Sequence, residues 1–289
     1  MGRLPVSKTY KMYIGGKFPR TESGRYRQIS NAKGEFLANV CRGSRKDVRM
    51  AVRAARKAQG PWAGRSAFNR GQILYRMAEM IESRGAAFVA HLMASGHTRK
   101  SAEAEVEVAV DRLVWYAGWS DKVVQLFGST NDVASSHFNF TLPEAMGLVA
   151  VFAPVSAPLL GLVSAMAPVI VMGNAVILIV EGDAPHLGIE LAEVLATSDL
   201  PDGVVNIITG EREELASHVV GHMDVDGVAA YGSDEAGQRQ MSLEGAESVK
   251  RVRFYDDPTA AKWRSDDQQS PYRILDFLEF KTAWHPVGV

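Results

Sequence analysis

Apolar and polar positions change their spacing several times along the chain, and the clearest pattern runs from Gly147 to Gly237. Short runs rich in Val, Ile and Ala are bounded there by Gly, Pro or Asp, which is typical of fully buried strands in a parallel sheet. Helix-length segments separate the runs, and parallel strands need crossovers of this length. The predicted strands are 147–153, 175–180, 204–208, 227–231 and 249–255, and the predicted helices are 157–172, 185–197 and 211–220.

This alternation predicts an α/β fold built on a Rossmann-like, doubly wound parallel sheet. Folds of this kind usually hold a nucleotide at the carboxyl ends of their strands, on the N-termini of the helices that follow. The turn Gly232-Ser233 and the nearby Gly237 follow the fourth strand and are therefore candidate phosphate contacts. A tight strand-to-helix turn that serves packing alone is the alternative for the same residues.

The N-terminal part of the chain carries hairpin and helix patterns. Residues 1–9 are expected to form a loose tail, and turn residues predict hairpins at 10–19 and 25–41. Ser44 and Asp47 resemble a capping box that opens a helix through Gln59. Two longer segments with a 3.6-residue apolar period predict helices over 68–93 and 99–124.

Two segments near the ends of the sheet region alternate with a period of two, as half-exposed strands do. Phe138 and Phe140 alternate with polar residues in 135–144, and Phe280 and Trp284 do so in 276–284. Paired strands of this kind leave an apolar edge, for which a partner subunit is the ordinary cover. Between them, residues 256–271 are polar and aperiodic, and we expect a loop.

Charge and composition exclude several classes of function. The 289 residues include 32 basic and 33 acidic side chains, so no excess of positive charge is available to bind nucleic acid. The longest apolar run, within 161–178, is interrupted by Gly173 and Asn174 and is not expected to span a membrane. Cys41 is the single cysteine, and the N-terminus has no secretory pattern, so we expect a cytoplasmic protein.

The order of several motifs resembles the aldehyde dehydrogenase superfamily over nearly the whole chain. Five segments carry the resemblance: Tyr13-Ile14-Gly15-Gly16-Lys17, Arg112 with Tyr116-Ala117-Gly118-Trp119, Asp202–Gly210, Asp224–Gly237 and Glu279–Trp284. The resemblance implies a coenzyme domain of the NAD(P)-binding type, and it marks Gly232, Ser233, Gly237 and Gly210 as the vestige of a cofactor site. It also implies that the terminal strand serves in subunit assembly.

Residues that work in that family are replaced here. The family's oxyanion-binding Asn lies in a segment that reads Pro154-Val155-Ser156-Ala157-Pro158 in this chain, so Ser156 takes that place. The Lys and Glu that hold the adenine ribose are replaced around Ile179–Gly182, and Glu181 or Asp183 reach the ribose only after a register shift. Phe254 occupies the place of the general base and cannot accept a proton, while Asp256 is two residues away.

The family's nucleophilic cysteine lies in a domain inserted after the fifth strand. Here Tyr255 is followed by the short segment 256–271 and then by the terminal strand, so that insertion is expected to be absent. Cys41 is remote from the cofactor in the family pattern, and a small strand filler is the simpler interpretation. We therefore predict no catalytic residues and no metal site, with solvated histidines preferred over a site at His218 and His222.

These observations predict a division of the chain. Residues 1–134 and 145–255 should form N-terminal helices and a coenzyme-type domain, and 135–144 with 272–289 should form oligomerisation strands. Residues 256–271 should form a loop in place of the catalytic domain. The pattern resembles the pseudo-dehydrogenase module of the sixteenth aldehyde dehydrogenase family.

The resemblance implies a non-catalytic subunit that assembles with itself or with a complete aldehyde dehydrogenase, and we expect no bound cofactor. The alternatives are an NAD(P)-dependent component that is active only with a partner, and an NAD-binding sensor.

Overall fold

The computed structural model describes residues 8–288 of the chain. Residues 1–7 of the expected N-terminal tail therefore lie outside the described residues. The assignment of Thr9 to that tail is wrong, because Thr9 is the first residue of a strand. This strand pairs in parallel with one arm of the predicted second hairpin, whose two arms are antiparallel. The three strands are β1 (Thr9–Tyr10), β2 (Tyr26–Ser30) and β3 (Phe36–Cys41).

The first predicted hairpin is reduced to a tight turn. Gly15 and Gly16 both have positive φ, at 59° and 75°, which is the backbone of a two-residue hairpin turn. Ile14 and Lys17 exchange backbone hydrogen bonds across it, at 2.9 and 3.1 Å. The arms do not extend as strands, because Tyr13 instead forms a bridge to Ile207 and so covers the edge of the central sheet.

The capping box is confirmed, and the long predicted helices are broken. Asp47 accepts the backbone N–H of Ser44 at 2.8 Å, and the helix that begins there continues to Ala63. Arg84 has φ −104° and ψ 11°, outside the helical region, so the segment 68–93 forms two helices. In the segment 99–124 one helix ends at Ala117 and the next begins at Val123. The helices are α1 (Arg45–Ala63), α2 (Ala67–Ser83), α3 (Gly85–Ala94), α4 (Arg99–Ala117) and α5 (Val123–Phe127).

A small antiparallel sheet forms from the two alternating segments. The strands that pair are β5 (His137–Ala145) and β11 (Leu278–Pro286), and β4 (Ser129–Asn131) adds a third strand that the sequence did not reveal. Their register places Phe280 opposite Pro143 and Phe138 opposite His285. Directly opposite residues share a face, so the aromatic residues of the two strands lie on opposite faces of this sheet rather than in one seam.

The predicted parallel sheet is confirmed with boundaries within two residues of those expected. Its order is β10-β9-β6-β7-β8, and every pair is parallel. Its elements in chain order are β6 (Leu148–Phe152), α6 (Leu160–Ile170), β7 (Ala175–Val180), α7 (His186–Leu195), β8 (Val205–Thr209), α8 (Arg212–Val220), β9 (Gly227–Tyr231), α9 (Glu235–Ala246) and β10 (Arg251–Tyr255).

Apolar side chains cover both faces of the parallel sheet, as a doubly wound fold requires. Val149 and Val151 of β6 belong to the core beneath α2, α4, α6 and α7, whereas Leu148 and Phe152 belong to the core beneath α1, α8 and α9. No helix within residues 8–288 is long and apolar enough to cross a membrane.

The 22 residues between β10 and β11 (256–277) form what we call the covering segment. It was expected to be a loop without structure over 256–271, and that is wrong in part. It contains α10 (Ala260–Trp263), a short 3-10 helix (Asp266–Gln268) and α11 (Tyr272–Leu275). These elements are too short to give a periodic sequence signal. Trp263 and Ile274 are nevertheless fully buried.

His186 begins α7 in a fully buried position between the rings of Tyr10 and His91, whose centroids are each 5.5 Å away. Neither of its ring nitrogens has a hydrogen-bond partner among the described residues. Burial lowers the pKa of His186 to about 4, with His91 and Lys8 acting in the same direction and Glu190 opposing them. The unfolded chain therefore binds more protons than the folded one between about pH 4 and pH 6.5.

Acid is consequently expected to destabilise the fold through His186. Between pH 7 and pH 5 this residue should remove about 2 kcal/mol from the free energy of unfolding, and the loss should be complete below its folded pKa. His186→Leu should flatten this part of the pH profile in urea titrations. His218→Leu, on an exposed position of α8, is the matched control and should keep the wild-type slope. Equal slopes for the two variants would contradict the assignment.

Candidate functional site

A cleft of about 450 Å³ opens at the carboxyl ends of β6 and β9. These two strands are neighbours in the sheet. After β6 the chain forms β7 and β8 on one side of it, and then crosses to form β9 on the other side. Such a change of direction leaves a crevice, which is where doubly wound folds hold their ligands. The cleft therefore lies where the sequence predicted a nucleotide site.

Three of the four predicted cofactor contacts line this cleft. Gly232, Ser233 and Gly237 come together at the N-terminus of α9. Gly232 has φ +63°, and a Cβ there would lie 3.1 Å from the Cβ of Asp257. The backbone N–H of Gly237 already donates to Asp234, at 2.8 Å. One of the helix N–H groups that a phosphate would use is thus occupied by a carboxylate of the same helix.

Gly210 and Cys41 lie elsewhere. Gly210 follows β8 and packs so closely on Leu215 that an added Cβ would approach its Cδ1 to 2.8 Å. Gly210 therefore has a packing role here and does not line the cleft, and its role as a cofactor contact stays a prediction. Cys41 is buried at the end of β3. It lines a separate cavity of about 10 Å³ beside Gly210 rather than the cleft.

Arg212, the first residue of α8, spans the crevice. Its Nε lies 2.9 Å from Glu181, and one of its terminal nitrogens donates to both the carbonyl of Tyr231 and the hydroxyl of Ser233 at 2.8 Å. The guanidinium also lies over the Phe152 ring, 5.6 Å from its centroid. One side chain thus ties the ends of β6, β7 and β9 together, with only 16% of its surface exposed.

Asp257 closes the other side of the cleft. Its carboxylate accepts the backbone N–H groups of Val155 and Ser156, at 2.7 and 3.1 Å, and also the hydroxyl of Ser156. The indole N–H of Trp263 donates to the same carboxylate at 3.0 Å. Ser156 holds the place of the predicted oxyanion donor. The N–H and the hydroxyl of Ser156 therefore donate to the carboxylate of Asp257.

The N-terminus of α6 is occupied in the same way. Glu105 of α4, which is fully buried, accepts the backbone N–H groups of Leu159 and Leu160 at 2.9 and 3.2 Å. Burial raises the pKa of this carboxyl against the effect of those hydrogen bonds. The backbone N–H groups of the loop from β6 to α6 therefore donate to carboxylates of the protein itself, those of Asp257 and Glu105.

The covering segment is held over the sheet by buried polar contacts. Arg112 of α4 donates to the carbonyls of Trp263, Ser265 and Gln268 and to the hydroxyl of Ser164, at 2.9 to 3.4 Å. Arg112 as a whole is 1% exposed, and burial lowers its pKa from the ordinary value. A charged donor that serves several carbonyls at once fixes the path of the segment.

Aromatic rings complete this cover. Tyr231 and Tyr255 stack with centroids 4.9 Å apart, and Arg273 lies over the Tyr255 ring at 4.4 Å. The hydroxyl of Tyr255 donates to Asp276 at 2.6 Å. Burial raises the pKa of both tyrosines, so they stay protonated and act as packing and hydrogen-bonding groups. The Tyr231 ring is thereby held against the covering segment.

The remaining candidates from the sequence lie apart from one another. Phe254 is half-buried against the core beneath α9, and Asp256 is exposed. Glu181 lines the cleft but is paired with Arg212, whereas Asp183 lines a different depression beside Ser95. No group of three or more metal-ligating side chains is found in the part of the chain that the structure describes.

The lining of the cleft carries more acidic than basic side chains. In the described structure its lining carries the carboxylates of Glu181, Glu213, Asp234 and Asp257 against the single guanidinium of Arg212. A pyrophosphate placed there would meet excess negative charge in a partly desolvated crevice. The geometry is that of a nucleotide fold, whereas the charge opposes an anionic ligand.

Arg212 and Asp257 were missed in the sequence, although each leaves a signal. An arginine in the first turn of a helix opposes the helix dipole, so it indicates a nearby carboxylate such as Glu181. Asp257 precedes Pro258, and Asp-Pro is a turn signal. Neither signal names the partner, because the partners come from distant parts of the chain.

Comparison with known proteins agrees with this fold. The sequence profile of the family described as "Aldehyde dehydrogenase family" matches residues 18–254. The chain is 32% identical to the mitochondrial benzaldehyde dehydrogenase of Antirrhinum majus, covering 86% of this chain and 47% of that protein. It is 31% identical to the mitochondrial aldehyde dehydrogenase of Rattus norvegicus, covering 78% of this chain and 44% of that protein.

Solved structures give the same result. The NAD+ complex of the aldehyde dehydrogenase from Bacillus cereus superposes with a TM-score of 0.81 at 27% identity, covering 86% of this chain and 51% of that one. The chain thus spans about half the length of the relatives that it matches.

Proposed function

Since the chain belongs to the aldehyde dehydrogenase family, we propose that it is a catalytically inactive subunit that acts in assembly. The observation that carries the proposal is the covering segment. It directs Asp257 at Ser156 and fills the carboxyl ends of the strands with Trp263 and its neighbours. The proposed partners are a second copy of the chain, a complete aldehyde dehydrogenase, or both, in the cytoplasm, without nucleic acid or membrane.

Chemistry on an aldehyde supports the inactive assignment. Covalent oxidation needs a thiolate that attacks the carbonyl and a base that activates water. Cys41 is the single cysteine of the chain and is buried beside β8. Phe254 stands where the resemblance places the base, and a phenyl ring accepts no proton. The proposed subunit therefore catalyses no oxidation of aldehydes.

The state of the cleft supports the absence of a cofactor. Homologous structures bind NAD+, so NAD(P) is the cofactor to test. Here Arg212 is engaged by Glu181, Tyr231 and Ser233, and four carboxylates line the space. Binding a dinucleotide would require breaking these internal contacts and overcoming like-charge repulsion.

Incubation with NAD+ or NADP+ is accordingly expected to leave the melting temperature unchanged and to give no aldehyde-dependent reduction of the nucleotide. A ligand at a hundred times its dissociation constant would stabilise the folded state by about 2.7 kcal/mol, which differential scanning fluorimetry detects. A complete aldehyde dehydrogenase under identical conditions is the positive control.

Three results would overturn the proposal in different ways. A saturable shift that disappears in Ser233→Asp, which adds a further carboxylate to the cleft, would support an NAD-binding sensor. Turnover that disappears in Cys41→Ala would make the chain an enzyme. NAD-dependent turnover that appears only on mixing with a second protein would support the partner-dependent component.

A further inference from the structure

Within residues 8–288, the outer edge of β11 has no strand partner, and its outward backbone groups form a defined set. Phe280 lies opposite Pro143 of β5, and proline has no N–H. In the same register Val287 donates its N–H to Ser136 at 3.1 Å, so the odd-numbered residues bond towards β5. The N–H and C=O of Phe280 therefore point away from β5. The same direction alternates along the strand, so Thr282 and Trp284 also direct their backbone groups outward.

Both ends of this free edge are closed. At one end, the carbonyl of Leu278 already accepts from Arg251 at 2.7 Å. At the other, Pro286 has no N–H to offer. The outward groups that can form a full ladder are those of Phe280, Thr282 and Trp284. Thr282 is the middle residue of these three. A two-fold axis at Thr282 would therefore place all three residues of one copy opposite the same three of another.

We propose that β11 pairs antiparallel with β11 of a second copy of this chain, with the two-fold axis at Thr282. In this register Thr282 lies opposite Thr282 of the second copy, and Phe280 opposite Trp284, so three residue pairs exchange about six backbone hydrogen bonds. The two small sheets then become one sheet of six strands, and neither β11 edge remains exposed.

The side chains of this register are complementary. Phe280 and Trp284 are 49% and 57% exposed in one copy, and the pairing sets each against the other across the axis, which favours aromatic contact. On the opposite face, Glu279 lies opposite His285. An imidazole N–H can donate to a carboxylate oxygen, and neither residue faces its own kind. Glu279 also pairs with Arg251 of its own copy at 2.8 Å.

The two neighbouring registers are less favourable. Centring the axis on Lys281 would place two ammonium groups directly opposite each other, which is destabilising. Centring it on Ala283 would set Phe280 opposite Pro286, and the missing N–H removes one hydrogen bond from each of two pairs. The register at Thr282 therefore follows from the residues of the strand itself.

This inference rests on the proposed assembly function and commits it to one partner, a second copy. The direct test is oxidation of single-cysteine additions in the full chain, followed by electrophoresis without reductant. Thr282→Cys should give a covalent dimer, because Cα atoms about 5.5 Å apart in such a pair permit a disulfide. Phe280→Cys and Trp284→Cys should each remain monomeric alone and cross-link when mixed. Buried Cys41 is present in every variant and sets the background.

A second test measures affinity by sedimentation at several concentrations. Thr282→Pro removes an outward N–H and, like the control below, the hydroxyl contact with Thr141 of β5. It should raise the dimer dissociation constant on the order of ten- to a hundredfold. Thr282→Val keeps the N–H and should dimerise like the wild type. A monomeric wild-type chain, or faster cross-linking of Lys281→Cys or Ala283→Cys than of Thr282→Cys, would overturn the pairing. Neither outcome bears on the absence of activity, which the NAD and turnover assays test separately.

Discussion

Arg112→Met is expected to lower the free energy of unfolding by about 3–5 kcal/mol, because a buried acceptor left without its donor costs about 1–3 kcal/mol. The guanidinium serves three carbonyls of the covering segment and the hydroxyl of Ser164. Methionine fills a similar volume but donates nothing. The freed carbonyls must then stay unsatisfied or draw water into the core.

Urea unfolding followed by tryptophan fluorescence measures this loss. Hydrogen exchange should in addition show faster exchange across residues 260–276, because the segment loses its attachment to α4. Arg99→Met is the matched control on the same helix, where the side chain is 69% exposed and pairs only with Glu103. Its effect should stay within about 0.5 kcal/mol. Similar losses for the two variants would show that the carbonyl contacts of Arg112 contribute little.

Trp263→Ala is the second substitution expected to lower the free energy of unfolding strongly. It tests whether the covering segment is part of the core. The indole is 1% exposed, packs 5.9 Å from the Tyr231 ring, and donates to Asp257 and Ser156 at 3.0 Å. Removing such a side chain typically costs about 3–5 kcal/mol. The variant should also loosen Asp257 and so leave the donors of Ser156 more accessible to solvent.

Tyr272→Ala removes another ring from the same segment at a position that is 68% exposed, and its cost should be about 1 kcal/mol or less. Chemical denaturation of the two variants side by side gives the comparison. A flexible, weakly attached segment would give small values for both. The expected difference between them is therefore the measurement that separates a packed cover from a surface loop.

The central sheet could be predicted because each of its strands is buried on both faces. Continuous runs such as 175–180 have no polar positions to confuse the pattern, and β7 spans the same residues as expected. The breaks at Arg84 and Gly118 were not visible, because the apolar period continues across them while the backbone turns. The three polar residues of β4 gave no signal, since that strand is defined by its pairing with β5.

The small sheet shows where periodicity stops being informative. Alternation correctly predicted strands at 135–144 and 276–284, but it does not set their register. A shift of one residue exchanges the two faces, and the observed register separates Phe138 from Phe280. The location of the cleft was likewise predictable from topology. Its occupation by Arg212 and Asp257 was not, because those contacts join residues distant in sequence.

The covering segment also limits rescue by an isolated catalytic domain supplied in trans. Such a domain would have to displace Trp263 and the carbonyls held by Arg112 before it could approach the strand ends. The segment is joined to the central sheet through β10 and to the small sheet through β11. It therefore competes as an intramolecular ligand, with an effective concentration in the millimolar range. Binding of a separate catalytic domain at these strand ends should therefore need excision of this tether.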